Sequence, residues 1–534
     1  MPPTPPASAP TGTSSPWGAL RHPPFRGLWQ SGATYFMGNA MQAMAAAWIM
    51  VELTGSAFLA ALVQTAVFLP MFLLALPAGV LADTTDRRRL ILIALTVQAV
   101  IGVVLAGLAL AGYLGAPSLL FLIFIAGSCT AALSPAYSSA VGDSVPRDEL
   151  PQAIIAVAIV YNAARALGPA LAGVVYAQFG PGWIFAIAVA TTLAMLQGIR
   201  RWPPKPHAPS RLPPERLWGG MLSALRFARH SRMILAQLVR TVAYSGAGSA
   251  LWALLPIIGQ RQLGMGAEGF GLLMGCLGTG AIGAGLVIGR LRAVGLEPLV
   301  RIGCIVFALA MVIAAFSTQR WVVFGALVCG GAAWMAVMST FNTATQTSAP
   351  PWVRARATAL HTVCALGSFA IGSAFWGALS SLFGLTAALC AGALCMAGGM
   401  VLARPFPLRM GHAPEVSQVA PWEDLFVAHE PVPDAGPVAV EIAYCVRPEQ
   451  TAAFLEDVSL LRNPRRRDGA TFWRVYKDLG EPSRYVERFI VESWADYLHQ
   501  RARATMADQA LETEVRAFLA PGEVVRMSHY IAER

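Results

Sequence analysis

Arg165 and Arg240 each stand roughly two helical turns inside an apolar run, where a guanidinium must find a carboxylate, backbone carbonyls or water. Either could face an anionic molecule, and Arg165 could instead pair with Asp143. Asn39, Gln42, Gln64, Gln98, Asn162, Tyr244 and Asn342 interrupt other apolar runs. There they either bond a neighbouring helix or line a polar path through the apolar body. Groups able to change charge with access are few: Glu52, Asp83 and Asp143 lie at the edges of such runs, and no Asp or Glu lies near the middle of one. They are the candidates for coupling proton movement to another process. His361 is a weaker one, since a hydrogen-bonded packing role explains it as well.

The elements that hold these residues follow from composition. Hydrophobic residues make up 56% of the 534 residues and charged residues 13%, outside the range of ordinary soluble domains. Apolar runs of about 20 residues, the length that spans a bilayer as helix, recur near 28–52, 57–82, 90–113, 118–142, 150–178, 181–200, 233–258, 268–289, 299–317, 321–347, 354–382 and 384–403. One side of these twelve spans collects Arg21, Arg26, Arg87, Arg88, Arg89, Arg147, the basic 200–232 segment, Arg290, Arg292, Arg301, Arg354, Arg356, Arg404 and Arg409; the other holds Arg261 and Arg320. Cationic short loops stay cytoplasmic, so both termini are expected there, in a bacterial inner or plasma membrane. The Pro/Ser/Thr-rich start lacks the basic-then-apolar order of a secretory signal. The net charge of +10 reflects loop orientation and predicts no nucleic-acid partner. Seven of the eight cysteines fall in spans and none forms C-x-x-C, so neither a metal site nor a disulfide framework is expected.

The chain repeats itself. Gly79 of GVLADTTDRRR and Gly285 of GLVIGRLR are 206 residues apart, and SPAYSSAVGDSVPRDEL and STFNTATQTSAPPWVRA begin 205 apart. Two halves of six spans joined by a basic hinge are the reading. GTGAIG (278–283) matches a dinucleotide-binding pattern, but it lies inside a span with no preceding strand and reads as close helix packing.

These residues carry a family resemblance. Gly79, Asp83, Arg87, Arg88 and Arg89, with Asp86 where Gly is usual, resemble the loop signature between spans 2 and 3 of major facilitator superfamily transporters. WIMVELTGS (48–56), the DTTDRRR loop and NAARALGPALAG (162–173) resemble more narrowly the branch of enterobactin exporters and macrolide-type efflux pumps. Gly168, Pro169 and Gly173 partly match the antiporter signature, with Ala164 and Ala172 where Gly is preferred. The resemblance implies alternating access, and export more than import. Independently of it, Gly79 permits close helix approach, and Asp83 at a helix end can accept from a neighbouring helix N-terminus or an arginine, a contact that would hold one side shut.

The 200–232 segment joins a Pro-rich stretch to an amphipathic helix from Pro214 to Arg232 suited to an anionic membrane surface. After Arg404 the character becomes soluble. Alternation at Val438, Val440, Ile442, Tyr444 and Val446 predicts a strand; a helix near 448–462, strands near 470–478 and 484–493, a helical stretch near 494–518 and a strand near 523–531 complete a ferredoxin-like order. This tail resembles the dimeric α+β barrel domains related to antibiotic-biosynthesis monooxygenases. His499, His529, Trp473, Tyr476, Trp494 and Tyr497 could line a small-molecule pocket or be core, and the RNPRRRDG loop reads as solvated or facing headgroups.

The expected fold is therefore an all-α polytopic membrane protein of twelve transmembrane helices in two six-helix halves, with a small C-terminal α+β ferredoxin-like domain. Its parts are a disordered 1–20, bundles over 21–200 and 233–405, a hinge over 201–232, a linker over 406–436 and the tail over 437–534. The expected function is proton-coupled export of a small amphipathic molecule: a siderophore, a drug or a secondary metabolite. No enzyme activity, cofactor or metal is expected; the bilayer and the substrate are the partners, with homodimerisation through the tail. Alternatives are import of a dedicated metabolite, or a tail acting as cofactor-free monooxygenase or ligand sensor.

Overall fold

The computed structural model describes residues 16–146, 149–203, 225–419 and 431–533, with the side chains of 16, 75–76, 79–84 and 413 outside the description. Long apolar segments, punctuated by Pro and Gly, make the helices. They are α1 (Pro23–Thr54), α2 (Ala57–Thr84), α3 (Arg87–Leu110), α4 (Ala116–Asp143), α5 (Leu150–Phe179), α6 (Pro181–Arg201), α7 (Arg232–Ile257, continued by a π turn to Gln262), α8 (Ala267–Ala293), α9 (Leu296–Phe316), α10 (Arg320–Ser348), α11 (Arg354–Phe383) and α12 (Leu385–Leu402). Among the described residues eleven helices, α2 to α12, are long and apolar enough to cross a membrane. The first, α1, is 32 residues long and more polar, carrying Arg26, Gln30, Asn39, Gln42 and Glu52, and it packs against α5 and α6 in the same bundle. Phe121, Leu286, Trp321 and Leu382 are more than 60% exposed, the apolar exterior that a hydrocarbon solvent requires.

The internal repeat is visible in the turns. Gly180 separates α5 from α6 at φ 83°, and Gly384 separates α11 from α12 at φ 88°, a backbone that L side chains rarely adopt. The loop arginines repeat too. Arg87 Nη1 donates to Asp143 on α4 at 2.9 Å, while Arg292, 205 residues later, donates to the Ser339 carbonyl, Ser339 Oγ and Thr343 Oγ1 on α10 at 2.8 to 2.9 Å. Each half thus ties its basic loop to its own fourth helix.

The halves meet along α2 with α11 and along α5 with α8. The end with few arginines is closed: Phe58 N donates to Ser381 Oγ (3.2 Å), Thr65 Oγ1 donates to the Ala370 carbonyl (2.8 Å), and Arg261 donates to the Gly55 carbonyl. Of the expected disordered segment 1–20, residues 16–20 lie in a 3₁₀ turn (Pro16–Arg21) with Ala19 buried; Arg21 and His22 both bond Glu149 at the start of α5. The amphipathic helix expected from Pro214 falls mostly outside the described residues, of which 225–230 are helical.

The tail begins after a short helix α13 (Ala413–Val416). It contains β1 (Val438–Cys445), α14 (Thr451–Leu460), α15 (Arg462–Asp468), β2 (Phe472–Lys477), β3 (Arg484–Val491), α16 (Trp494–Arg503), α17 (Met506–Arg516) and β4 (Arg526–Ile531). The sheet order is β2-β3-β1-β4, antiparallel throughout. Val438, Val440, Ile442 and Tyr444 of β1 are buried, joined by Phe454, Phe489, Trp494 and Tyr497 in one core. RNPRRRDG is not a solvated loop. It forms α15, where Arg465 donates to buried Glu487 (3.1 Å) and reaches Glu512 (2.7 Å), and Arg467 bridges Asp468 (2.8 Å) and Asp508 (2.6 Å). Runs of arginine look solvated in sequence; here four carboxylates from β3, α15 and α17 neutralise two of them.

Candidate functional site

A cavity of about 460 Å³ lies inside the first half, its lining reaching Ser138 and Ile154 toward the arginine-rich end of α4 and α5. Its walls come from α1 (Tyr35, Phe36, Asn39, Gln42), α2 (Val67, Phe68, Met71), α4 (Thr130, Ser134, Tyr137, Ser138) and α5 (Ile154, Tyr161, Arg165). Most of the lining is apolar or aromatic, with a few polar groups, the composition of a small-molecule site. Arg165 is its cation. The guanidinium lies 5.9 Å from the Tyr161 ring and 5.8 Å from the Trp252 ring of α7 in the other half, within cation–π range. Trp252 belongs to an aromatic chain through Trp334 (5.9 Å) to Phe369 (6.0 Å) and back across to Phe68 (5.1 Å), so rings of the second half pack against two lining residues, Arg165 and Phe68.

Below these rings the halves are locked by small residues. A Cβ on Gly173 would lie 2.8 Å from the Ala267 carbonyl oxygen, and one on Gly271 would lie 2.6 Å from the Pro169 carbonyl oxygen, so α5 and α8 touch backbone to backbone. Gly168 meets α1, where a Cβ would lie 2.7 Å from that of Ala40. Gly278 of GTGAIG packs against Ala166 in the same seam. Trp48 stacks on Phe270 across the halves at 5.6 Å, and Glu52 fixes that indole by accepting from Trp48 Nε1 at 2.6 Å while also accepting from Tyr176 Oη. Glu52 therefore belongs to the closed end of the seam rather than to the cavity.

These features, two similar halves closed against each other at one end and an aromatic cavity within the first, have counterparts among known proteins. The sequence profile of the transmembrane secretion effector family matches residues 14–534. The chain belongs to that family. As a transmembrane secretion effector it is a transporter of the major facilitator superfamily. It is 26% identical over 377 residues to the multidrug efflux pump Tap of Mycobacterium tuberculosis, covering 67% of this chain and 87% of Tap. It is 27% identical over 349 residues to the enterobactin exporter EntS of Citrobacter koseri, covering 62% of this chain and 76% of EntS. Among solved structures, the nucleoside transporter NupG matches 72% of this chain and 99% of its own at TM-score 0.59 and 11% identity. A bacterial homolog of the lysosomal transporter Spinster, inward-facing and unoccupied, matches 74% and 97% at TM-score 0.56 and 16% identity. The family match runs through the tail to residue 534.

Against the sequence expectations, the structure gathers Asn39, Gln42 and Arg165 at one cavity and Gly168, Pro169 and Gly173 at one seam. The pairing of Arg165 with Asp143 does not occur, because Arg87 holds Asp143 and Arg165 reaches the aromatic rings instead. Arg240 is not among the residues lining that cavity. It grips Glu297 through two bonds (2.6 and 2.8 Å) and donates to the carbonyls of Phe406 and Ala403, tying the segment after α12 to α7 and α9. Tyr244 is buried against Trp334 (5.3 Å) and Phe341 (6.2 Å) as core. Asn162 turns back to the Ala158 carbonyl (2.8 Å), and half-buried Gln64 is outside the cavity lining. His361 is buried beside Thr241 (3.2 Å), a packing role.

In the loop signature, Asp86 caps α3 by accepting from Arg89 N (3.0 Å), which accounts for an Asp where Gly is usual, and Arg88 donates to the Arg200 carbonyl. Gly79 and Asp83 lie on α2, and their side chains fall outside the described residues. Sequence reasoning missed Trp252, Trp334, Phe369 and Phe68, since an aromatic in an apolar span carries no mark of which face it serves.

Proposed function

We propose that this transmembrane secretion effector exports a small amphipathic aromatic molecule from the cytoplasm by alternating access. Two observations carry the reading: the lining of the cavity at Arg165 runs along α4 and α5 toward the arginine-rich end, and the glycine seam of α5 and α8 closes the other end. Counting α1, the bundle has twelve spans with both termini in the cytoplasm of a bacterial cell, so the arginine-rich end is the loading side. Efflux by Tap and EntS, two similar proteins, supports outward movement. A siderophore, a drug or a secondary metabolite with an anionic or aromatic face suits a guanidinium framed by Tyr161 and Trp252. Asn39 and Gln42 supply the polar contacts that orient it.

Proton coupling falls to Glu52: taking up a proton from outside would weaken its hold on Trp48 and Tyr176 and so favour opening there. Asp83 acts in the opposite gate, with Arg87 and Asp143 as the adjoining tie between α3 and α4. The tail is a ferredoxin-like accessory domain. The test is accumulation of fluorescent drugs and catecholate siderophores in efflux-deficient cells making the chain, beside Asp83→Asn and Arg165→Ala. Lower accumulation lost in both variants is expected; equal accumulation with the protein verified in the membrane would refute export of these classes.

A further inference from the structure

At the arginine-rich end of the second half, a cavity of about 190 Å³ lies between α7, α9 and α12. That is less than the range that holds a drug-sized molecule whole. Val300, Phe341, Met396 and Met400 make its apolar part, and Arg240, Glu297, Arg301 and Arg404 its charged part. Two of those four charges cancel. Arg240 holds Glu297 through two bonds (2.6 and 2.8 Å) and donates to the Phe406 and Ala403 carbonyls, while Glu297 also accepts from Leu408 N (2.9 Å). Arg301 and Arg404 are exposed, and among the described residues neither makes a salt bridge, so the cavity keeps two uncompensated positive charges.

Tyr244, another lining residue, stands about one helical turn further into α7 than Arg240. It is 3% exposed and its ring packs on Phe307, Trp334 and Phe341, yet its Oη has no hydrogen-bond partner among the described residues. A buried hydroxyl without a partner is costly, and an acceptor on a molecule in the cavity would remove that cost. The two arginines also stand beside lipid-facing side chains. Ile302 and Ile305 follow Arg301 on α9, Val401 and Leu402 precede Arg404 at the end of α12, and all four are more than half exposed, as only hydrocarbon allows. A molecule held here needs an anionic head for Arg301 and Arg404, a carbonyl oxygen for Tyr244 Oη and an aliphatic chain for Val300, Met396 and Met400. Those groups occur in that order in an anionic phospholipid.

We propose that this cavity binds the glycerol-ester part of one anionic phospholipid from the leaflet at the arginine-rich end, with its phosphate on Arg301 and Arg404, an ester carbonyl on Tyr244 Oη and its acyl chains continuing outside along α9 and α12. The lipid would join α9 to α12 over the Arg240–Glu297 pair. The site requires only the membrane-spanning fold, whatever the first half exports.

The test uses the full chain in dodecyl maltoside, stripped of lipid, with bound molecules counted by native mass spectrometry. Dioleoyl phosphatidylglycerol is the probe. Dioleoyl phosphatidylcholine lacks its net charge, oleate has charge and chain without the phosphodiester, and glycerol 3-phosphate has phosphate without a chain. One phosphatidylglycerol is expected to bind at least about tenfold more tightly than any of the other three. Arg301→Gln with Arg404→Gln should erase that preference, and Tyr244→Phe should weaken phosphatidylglycerol several-fold. Arg290→Gln with Arg409→Gln removes the same charge from exposed residues that do not line the cavity, and should leave binding unchanged. Phosphatidylglycerol should also raise the midpoint of thermal unfolding of wild type and not of the Arg301/Arg404 variant. Equal affinity for phosphatidylcholine, binding retained in the Arg301/Arg404 variant or binding lost in the Arg290/Arg409 variant overturns the site. Oleate or glycerol 3-phosphate binding as tightly as phosphatidylglycerol overturns the phospholipid assignment, and unchanged binding in Tyr244→Phe overturns the ester contact.

Discussion

At the scale of single residues, the two arginines that the sequence marked alike have opposite fates. Arg240 finds Glu297, and nothing local announces a partner 57 positions away at the start of another helix. Arg165 finds rings, and its pairing with Asp143 is pre-empted by Arg87. Replacing Arg165 by Ala removes the cavity's cation, whose attraction for an anionic aromatic substrate is put at about 1 kcal/mol. The expected result is a KM for an anionic aromatic substrate raised roughly three- to tenfold, with Arg165→Lys retaining most affinity, read from transport into inverted vesicles. For Glu297→Gln, the carboxylate is a third exposed, so the loss is discounted to about 1–2 kcal/mol, measured as a lower midpoint of thermal unfolding in detergent.

In the tail, burial pushes the Asp468 carboxyl up to about 6 from an ordinary 3.8. Between those values the folded chain binds more protons than the unfolded one, so this group's contribution to stability is present at low pH and is lost as pH rises through about 6. The stability of wild type relative to Asp468→Asn should therefore fall from pH 4 to pH 6, checked by denaturant titration of the tail transition. A constant difference would contradict the assignment.

At the scale of elements, helices announce themselves and their contacts do not. The twelve apolar runs correspond to α1 to α12 with ends shifted by a few residues, because length and apolarity are local properties. Gly168, Pro169 and Gly173 could be read as a packing stretch, but the opposing surface at Ala267 and Gly271 is set only when the halves meet. Gly173→Val puts methyl groups where a Cβ alone would come within 2.8 Å of a carbonyl oxygen. The seam should part, and spin labels at Ser56 and Thr318, on opposite halves of the closed end, should shift to longer distances. An unchanged distance distribution would show that the seam tolerates separation elsewhere.

At the scale of the whole molecule, the repeat foretold two equivalent halves, and both the paired glycine turns and the paired loop arginines bear its imprint. What the sequence left open was the tail's place. Its sheet turns Val486, Ile490 and Tyr530 away from its own helices, around small Ala439 and Ala443. If that face receives a second copy, Ala439→Cys should yield a disulfide-linked dimer in native membranes under mild oxidation, whereas a persistently monomeric band would exclude it.

The segment from Ala403 to Leu408 is knotted to Arg240 and Glu297, and Gly411 N bonds Ser348 Oγ, so the chain leaving α12 is bolted down before the tail starts. Arg226, just before α7, adds a bond to the Gly469 carbonyl (3.0 Å). Gln418 and Val419 then bond the Ala502 and Ala504 carbonyls of the tail, so the tail is tied to the second half. If that half rocks against the first during transport, the tail is carried with it, and a small rotation inside the bilayer becomes a larger displacement outside it. A load hung on the tail would then be felt as a torque on the transport cycle itself.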